Sequence, residues 1–441
     1  MDAMTLSRVQ FGLTAGFHYL FPPLTIGLAW ILVVLAWLRL RRAEPGYDQM
    51  MRFWTKLFAI NFAIGVATGI IMEFEFGTNW STYSKYVGDI FGAPLAAEAI
   101  FSFFLESSFL AVLVFGWNRV SKRVHFFSAL MVALGSVLSA FWIIVANSWQ
   151  QTPAGYKLVT DGAGKVVRAE LTSFAAAIFN PSTLPRFFHA VAGALVTGAF
   201  VVAGISAWYL LKGRHVDFAR KSLAIGIVVG VIATMGSAVV GDWHTRQVAH
   251  TQPEKFAAME ALFKTQSGAP LLLLGYPLPD LGIPKLLSLM VYFDPNAQVK
   301  GLDAFPPQDL PPVTFTAMSF HAMVWPGFMC MFVMLYGALL LKRGRLYDSR
   351  RFLKALFWLI PVPFALNEIG WFTAEIGRQP WAVYHLLRTA DAYSPTVPAG
   401  QILFSIILFT LIFTGLFALG FYAVRKHVLA GPEAEASRKR G

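Results

Sequence analysis

The sequence predicts an all-α polytopic membrane protein, a bundle of nine transmembrane helices, and three observations predict it. Of 441 residues, 56% are apolar and only 14% charged, whereas a soluble domain is about a quarter charged. Nine stretches are long enough to cross the hydrocarbon core of a bilayer, which takes about 20 mainly apolar residues. The connections between them alternate between basic and non-basic. A mean hydropathy of +0.57, with 40 Phe and 13 Trp to house, excludes a disordered chain and leaves a solvated globule too much apolar surface to cover. The net charge of +12 is spread over connections rather than gathered on one soluble segment, so it points to membrane orientation and not to nucleic acid.

The spans cover approximately residues 11–40, 53–72, 94–117, 126–149, 187–211, 218–240, 315–341, 352–372 and 401–424. The first is long enough to include an interfacial turn, and Pro361 and Pro363 should bend the eighth, as prolines in a span do where neighbours re-satisfy the backbone. Basic residues follow the odd-numbered spans: Arg39, Arg41 and Arg42; Arg119, Lys122 and Arg123; Lys212, Arg214, Arg220 and Lys221; Lys342, Arg343, Arg345, Arg350, Arg351 and Lys354. With Arg425, Lys426 and the terminal SRKRG, they place these connections in the cytoplasm. An odd number of spans then leaves the N-terminus outside (periplasmic) and the C-terminus cytoplasmic. The beginning MDAMTLSRVQFGL has no basic run before an apolar core and no small-residue cleavage site, so no removable signal peptide is read there.

The whole of 1–441 reads as a single membrane-embedded domain with one large outer loop, 241–312. A connection that long is uncommon unless it has a job, and EKFAAMEALF within it has helical spacing, expected as a short helix on the membrane surface. No internal repeat is visible. The single cysteine, Cys330, rules out an intrachain disulfide, a CxxC zinc site, a cysteine-ligated iron–sulfur cluster, a two-cysteine copper centre and a covalently attached c-type haem. There is no adjacent His pair to hold copper, so an oxygen-reducing site here would be haem-only.

An ionisable residue inside a span costs on the order of 3 kcal/mol on insertion scales and marks a candidate functional position. His18, His189, His321, Met323 and Glu375, from four spans, all fall in the outer half of the bilayer. Imidazole, thioether and carboxylate are axial haem-ligand types. Any one of them alone would more often be a hydrogen-bonded core residue; the common depth of all five shifts the balance. His321 and Met323, two residues apart, point about 200° apart around a helix and so do not serve the same iron. In span three, Glu98 and Glu106 can line one side of the helix with Ser107, Ser108 and Ser139 nearby, a carboxyl and hydroxyl series suited to relaying protons. Glu368 is a further acid of span eight. The same set also suits a proton-coupled transporter, or a non-catalytic quinone-binding b-type cytochrome.

The stretch MEFEFGTNWSTYSKYVGDIFGAPLAAE at 72–98 closely resembles subunit I of the cytochrome bd quinol oxidases. The likeness continues through FFLESSF at 103–109, VALGSVLSAFWIIVANSWQQTP at 132–153, GISAWYLLKGR at 204–214 and GWFTAEIGRQPW at 370–381, nearly the whole chain. The resemblance implies a terminal oxidase that oxidises membrane quinol at the outer face and reduces dioxygen to water with cytoplasmic protons, without pumping. It implies a low-spin b haem held by His189 and Met323, and a high-spin b haem and a haem d (or a b-type haem in its place) on His18 and Glu375. Which of these two takes which stays open. By the same resemblance Glu98 is a carboxylate beside the oxygen-reducing haem, Glu106 a member of the inward proton path, and Lys255 and Glu260 belong to the quinol-binding loop. Arg8, Trp371, Arg378 and Trp381 lie near the haem-bearing outer ends, suited to pair with propionates or pack on porphyrin. A second large membrane subunit is implied as partner, with small one-span accessory chains besides. One departure stands out: the family's usual arginine two residues before the methionine is His321, so an altered b-haem potential or a supporting role in haem binding is expected of it. The outer loop is short, resembling the family branch with an abbreviated quinol loop, described as cyanide-insensitive.

Overall fold

The computed structural model describes residues 1–42, 44–274 and 281–432; the terminal SRKRG lies outside them. Among the described residues, nine helical stretches are long and apolar enough to span a membrane. The first contains two helices, α1 (Ala3–Tyr19) and α2 (Pro22–Arg41). Pro22 and Pro23 have no N–H to continue the ladder of α1. The His18 carbonyl accepts instead from the Phe21 N–H at 3.1 Å, and Asn61 of α3 (Pro45–Thr78) pins the turn by donating to the Phe21 carbonyl at 2.9 Å.

The third span starts earlier than expected, at Ser81 rather than Pro94. Helix α4 (Ser81–Ala97) runs through a π-helical turn (Glu98–Phe103) into α5 (Phe104–Phe115). Its first half is too polar to read as membrane-spanning, yet Tyr83, Val87, Ile90 and Phe91 pack it into a core with Trp149. That tryptophan lies near the end of α6 (Lys122–Gln151), which Ser121 caps by accepting from the Val124 N–H at 3.3 Å. A hairpin of β1 (Tyr156–Thr160) and β2 (Val166–Leu171) and the short α7 (Phe174–Ile178) follow.

Helices α8 (Thr183–Leu211) and α9 (Val216–Thr251) form the most extensively packed pair. Across α2 and α8 the backbones touch: a Cβ on Gly27 would stand 2.8 Å from the Gly198 nitrogen, the close approach that small residues allow between membrane helices. Helix α9 continues past Gly241 to Thr251, so the large connection begins later than the sequence suggests. The polar residues Asp242, His244 and Thr245 that look like loop are helical and face a cavity.

The connection holds α10 (Pro253–Met259), β3 (Gln266–Ser267), β4 (Leu271–Leu274), β5 (Leu281–Ile283), α11 (Leu286–Tyr292) and β6 (Gln298–Val299). β3 pairs with β6 and β4 with β5, both antiparallel. The expected surface helix is α10, and it does not lie on the surface: Glu254 to Met259 are all buried, wedged against α9 and α12 (Val313–Lys342). The later connection covers both faces of the helix, which its own spacing could not reveal.

The eighth span is bent as expected. Helix α13 (Arg350–Trp358) stops before Pro361, and α14 (Val362–Ile376) restarts the span. A hairpin of β7 (Trp381–Val383) and β8 (Leu387–Arg388) leads to α15 (Ala399–Ala430). The connections after even-numbered spans are built up at one end of the bundle and bonded together: Leu171 N–H donates to Asp89 at 2.7 Å, Tyr384 N–H to the Gln150 carbonyl at 2.9 Å, and Arg388 to Asp309 at 2.6 Å.

Candidate functional site

At the built-up end, the helices enclose a cavity of about 1510 Å³, larger than the roughly 300–1,000 Å³ of a site for one drug-sized ligand. Arg8, His18, Glu98, Glu106, Ser139, His189, Lys255, Glu260, His321, Met323, Trp371, Glu375 and Arg378 all line it. Residues from the first span to the eighth therefore share one chamber. Trp381 instead stacks against His385 and under Arg388.

His18 projects from α1 with Nδ1 3.0 Å from the Thr68 hydroxyl. That hydroxyl donates its own hydrogen to the carbonyls of Ile64 and Gly65. It must therefore accept from Nδ1–H, which leaves the Nε2 lone pair bare, the form a metal needs. His189 of α8 has a buried Nδ1 without a hydrogen-bond partner. Each of three candidate ligands rests on a glycine of another helix: a Cβ on Gly69 would meet His18 at 3.1 Å, one on Gly241 would meet His189 at 3.2 Å, and one on Gly370 would meet the Met323 sulfur at 2.8 Å. His321 bonds back to the Ala317 carbonyl of its own helix at 3.0 Å.

Glu375 is held from two sides, accepting from Arg378 at 2.5 Å and from Asn147 at 2.9 Å; each oxygen keeps a second lone pair. Arg378 also donates to Gln150, and Asn147 accepts from Arg186. Arg186 lines the chamber and was missed in the sequence because it falls one residue before the apolar window of span five, where it looks like a headgroup anchor. α8 begins at Thr183, which draws it inside. Arg186, Arg378 and Lys255 thus face one carboxylate, Glu375, an excess of positive charge that needs an anionic ligand.

The acids of span three are joined through the π turn rather than a regular α-helix. Ser139 of α6 donates to Glu98 at 2.7 Å. Glu106 is 5% exposed, one of its carboxyl oxygens has no partner, and its Cβ would lie 2.9 Å from a Cβ on Gly135. Ser107 is half-buried and donates to the Phe103 carbonyl at 2.7 Å rather than to either acid.

In α10, Lys255 donates to Gln151 at 3.0 Å and to the Ala374 carbonyl at 2.9 Å. Burial, reinforced by Arg186 and Arg378, holds its ammonium pKa well below the usual lysine range. Burial alone pushes Glu260 up to about 7.

Among the described residues no three of His, Cys, Asp and Glu converge as a protein-caged metal requires. The donors are single side chains on separate helices, which suits an iron whose equatorial ligands come from a porphyrin. Orphaned imidazole nitrogen, glycine-backed donors and surplus cations for propionates all fit that group. A bundle with such a chamber defines a membrane-embedded oxidoreductase of the haem class.

Comparison with known proteins narrows this. The cytochrome bd terminal oxidase subunit I family matches residues 6–432, and the chain belongs to that family. It is 39% identical to the cytochrome bd ubiquinol oxidase subunit 1 of Bacillus subtilis, over 98% of this chain and 95% of the other. It is 37% identical to the cytochrome bd-II ubiquinol oxidase subunit 1 of Escherichia coli, over 99% and 98%. Its fold matches the bd oxidase structure from Geobacillus thermodenitrificans with a TM-score of 0.88 at 30% identity, covering 97% and 98% of the two chains. It is a multi-pass protein of the bacterial inner membrane, an oxidoreductase of respiratory electron transport with a terminal quinol oxidase role and haem as cofactor.

Proposed function

We propose that this chain is the catalytic subunit of a quinol:oxygen oxidoreductase with a haem-only oxygen site. One observation carries the reading: a single chamber is lined by four candidate iron ligands, by the acids Glu98 and Glu106, and by the buried Lys255 and Glu260. His189 and Met323 hold a low-spin b haem. His18 and Glu375 hold a high-spin b haem and a haem d, or a b-type haem in its place. Bound haem supplies redox-active iron that passes electrons and takes up oxygen.

The chain's residues do the rest. Thr68 fixes the His18 tautomer, Gly241 and Gly370 set the depth of His189 and Met323, Arg186, Arg378 and Arg8 would pair with the haems' propionates, and Trp371 would pack on porphyrin. Glu106, Ser139 and Glu98 pass protons inward from the cytoplasmic side to the oxygen site. Lys255 and Glu260 bind quinol at the outer face. The N-terminus is outside, so protons are released outside and consumed from inside, and charge separates without a pump. A second large membrane subunit covers exposed apolar faces of the bundle, with one-span accessory chains besides.

The test is a reduced-minus-oxidised visible spectrum of the purified complex, with and without carbon monoxide. Low-spin b bands together with a carbon-monoxide-sensitive high-spin band are expected. A preparation without Soret absorbance overturns the assignment, and a low-spin b spectrum with no carbon monoxide response reduces the chain to a non-catalytic cytochrome.

A further inference from the structure

The chamber leaves unused a polar cluster on the far side of α10. Glu254, next to Lys255, is buried, its side chain 7% exposed. One carboxylate oxygen accepts from the Tyr384 hydroxyl at 2.6 Å and sits 3.0 Å from Nε2 of His385. The imidazole is 56% exposed, so it bridges a buried acid to the surface. His385 occupies the tip of the β7–β8 hairpin with φ at +56°, a left-handed conformation that is uncommon outside glycine and more frequent for His, Asn and Asp. The ring is held by stacking on Trp381, with centroids 5.1 Å apart.

We infer that Glu254 and His385 form the outward proton-release pair for quinol oxidation. The inference rests on the placement of quinol at Lys255 and Glu260. Oxidation of a quinol to the quinone frees two electrons, which the established activity passes to oxygen, and two protons, which must leave a buried site. Among the titratable residues of this segment, Lys255 bonds inward to Gln151 and Ala374, and one oxygen of Glu260 has no partner. Glu254 is the one bonded to a solvent-reaching titratable ring. Each proton passes to the Glu254 carboxylate and from its hydroxyl to the bare Nε2 of His385 in its Nδ1–H tautomer. Nδ1 then gives up its proton to outside water, and exchange with that water at the exposed ring restores the starting tautomer before the next proton.

The charged and titratable surroundings are compatible with this traffic. Tyr384 faces the acid from the hairpin, and burial with the neighbouring Glu254 raises its phenol above the usual range, so it stays a donor. Arg388 lies over Trp381, 4.5 Å from its ring centroid, and is paired with Asp309. Lys255 adjoins on α10 and bonds away from Glu254, to Gln151 and the Ala374 carbonyl.

The experiment measures quinol-driven oxygen uptake by the purified complex across pH. In Glu254→Gln the amide oxygen still accepts from Tyr384 and His385, so a merely structural clasp leaves turnover unchanged. The release pair predicts a fall of at least fivefold and a larger solvent deuterium isotope effect, with the haem spectrum preserved. In His385→Gly, which suits the left-handed backbone, a similar fall is expected, and added imidazole should restore turnover. Unchanged turnover in Glu254→Gln, or a fall in His385→Gly that imidazole does not relieve, overturns the inference. Lys255→Ala separates the two readings: full quinol turnover in that variant overturns the quinol site and the release pair together. Its loss beside an unaffected Glu254→Gln overturns the release pair alone.

Discussion

A membrane interior makes residue types informative, because His, Glu and Met at one depth have few structural excuses. That is why every candidate ligand could be read from the sequence and why all of them face one chamber. What tunes them could not be read. Thr68, Gly69, Gly241 and Gly370 touch candidate ligands carried by other helices, and a small residue in a span has many bland explanations. Gly370→Ala tests this. Alanine is the better helix former by roughly 1 kcal/mol, so α14 is not weakened, but the new methyl would stand 2.8 Å from the Met323 sulfur and push the thioether aside. The expected result is conversion of most of the low-spin b signal to high spin in the visible spectrum, with the complex still assembled. His321 offers a second residue-level check. His321→Arg places a permanent cation two residues from Met323, and a cation favours the reduced haem, so a redox titration should show a higher b-haem potential; an unmoved potential removes the role given to His321.

At the level of elements, breaks announced by proline were legible and breaks made by hydrogen-bond pattern were not. The eighth span bends at Pro361 as expected, and the turn expected within the first falls at Pro22 and Pro23, which the sequence reading does not single out. The π turn at Glu98–Phe103 carries no compositional mark, although such turns are frequent at functional sites, and here it sets how Glu98 faces Ser139. Nor could α10 be recognised as buried, since its cover comes from residues far along the chain. Its burial has a measurable consequence. Glu260, raised to about 7, is protonated below that pH and ionised above it. As the acceptor of a hydrogen bond from a quinol hydroxyl it works best when ionised, so quinol turnover should climb as pH rises through about 7. Glu260→Gln should flatten that limb as well as lower the plateau, and a retained limb assigns the titration to another group.

For the molecule as a whole, the count of spans and the asymmetry of charge were both legible, because each is a sum over many residues and survives errors at any one boundary. The structure adds an asymmetry of mass: the hairpin β1–β2, the segment 252–312 and the segment 377–398 are joined at one end, while the basic connections 116–121, 212–215 and 343–349 at the other are short. With the proposed electron input and proton release at the built-up end and proton uptake at the basic end, the reaction would leave the outside positive only if the two ends face the membrane's two sides in the proposed sense. Cys330, the chain's single cysteine, is 1% exposed, which leaves a clean background for labelling. In intact cells with a permeable outer membrane, a membrane-impermeant maleimide should label Lys300→Cys, in the exposed part of the large connection, and should reach Arg345→Cys only after the inner membrane is opened. The reverse pattern would put quinol oxidation on the cytoplasmic side and proton uptake on the outer side, a gradient of the opposite sign that a respiratory membrane cannot use, and would overturn the stated topology.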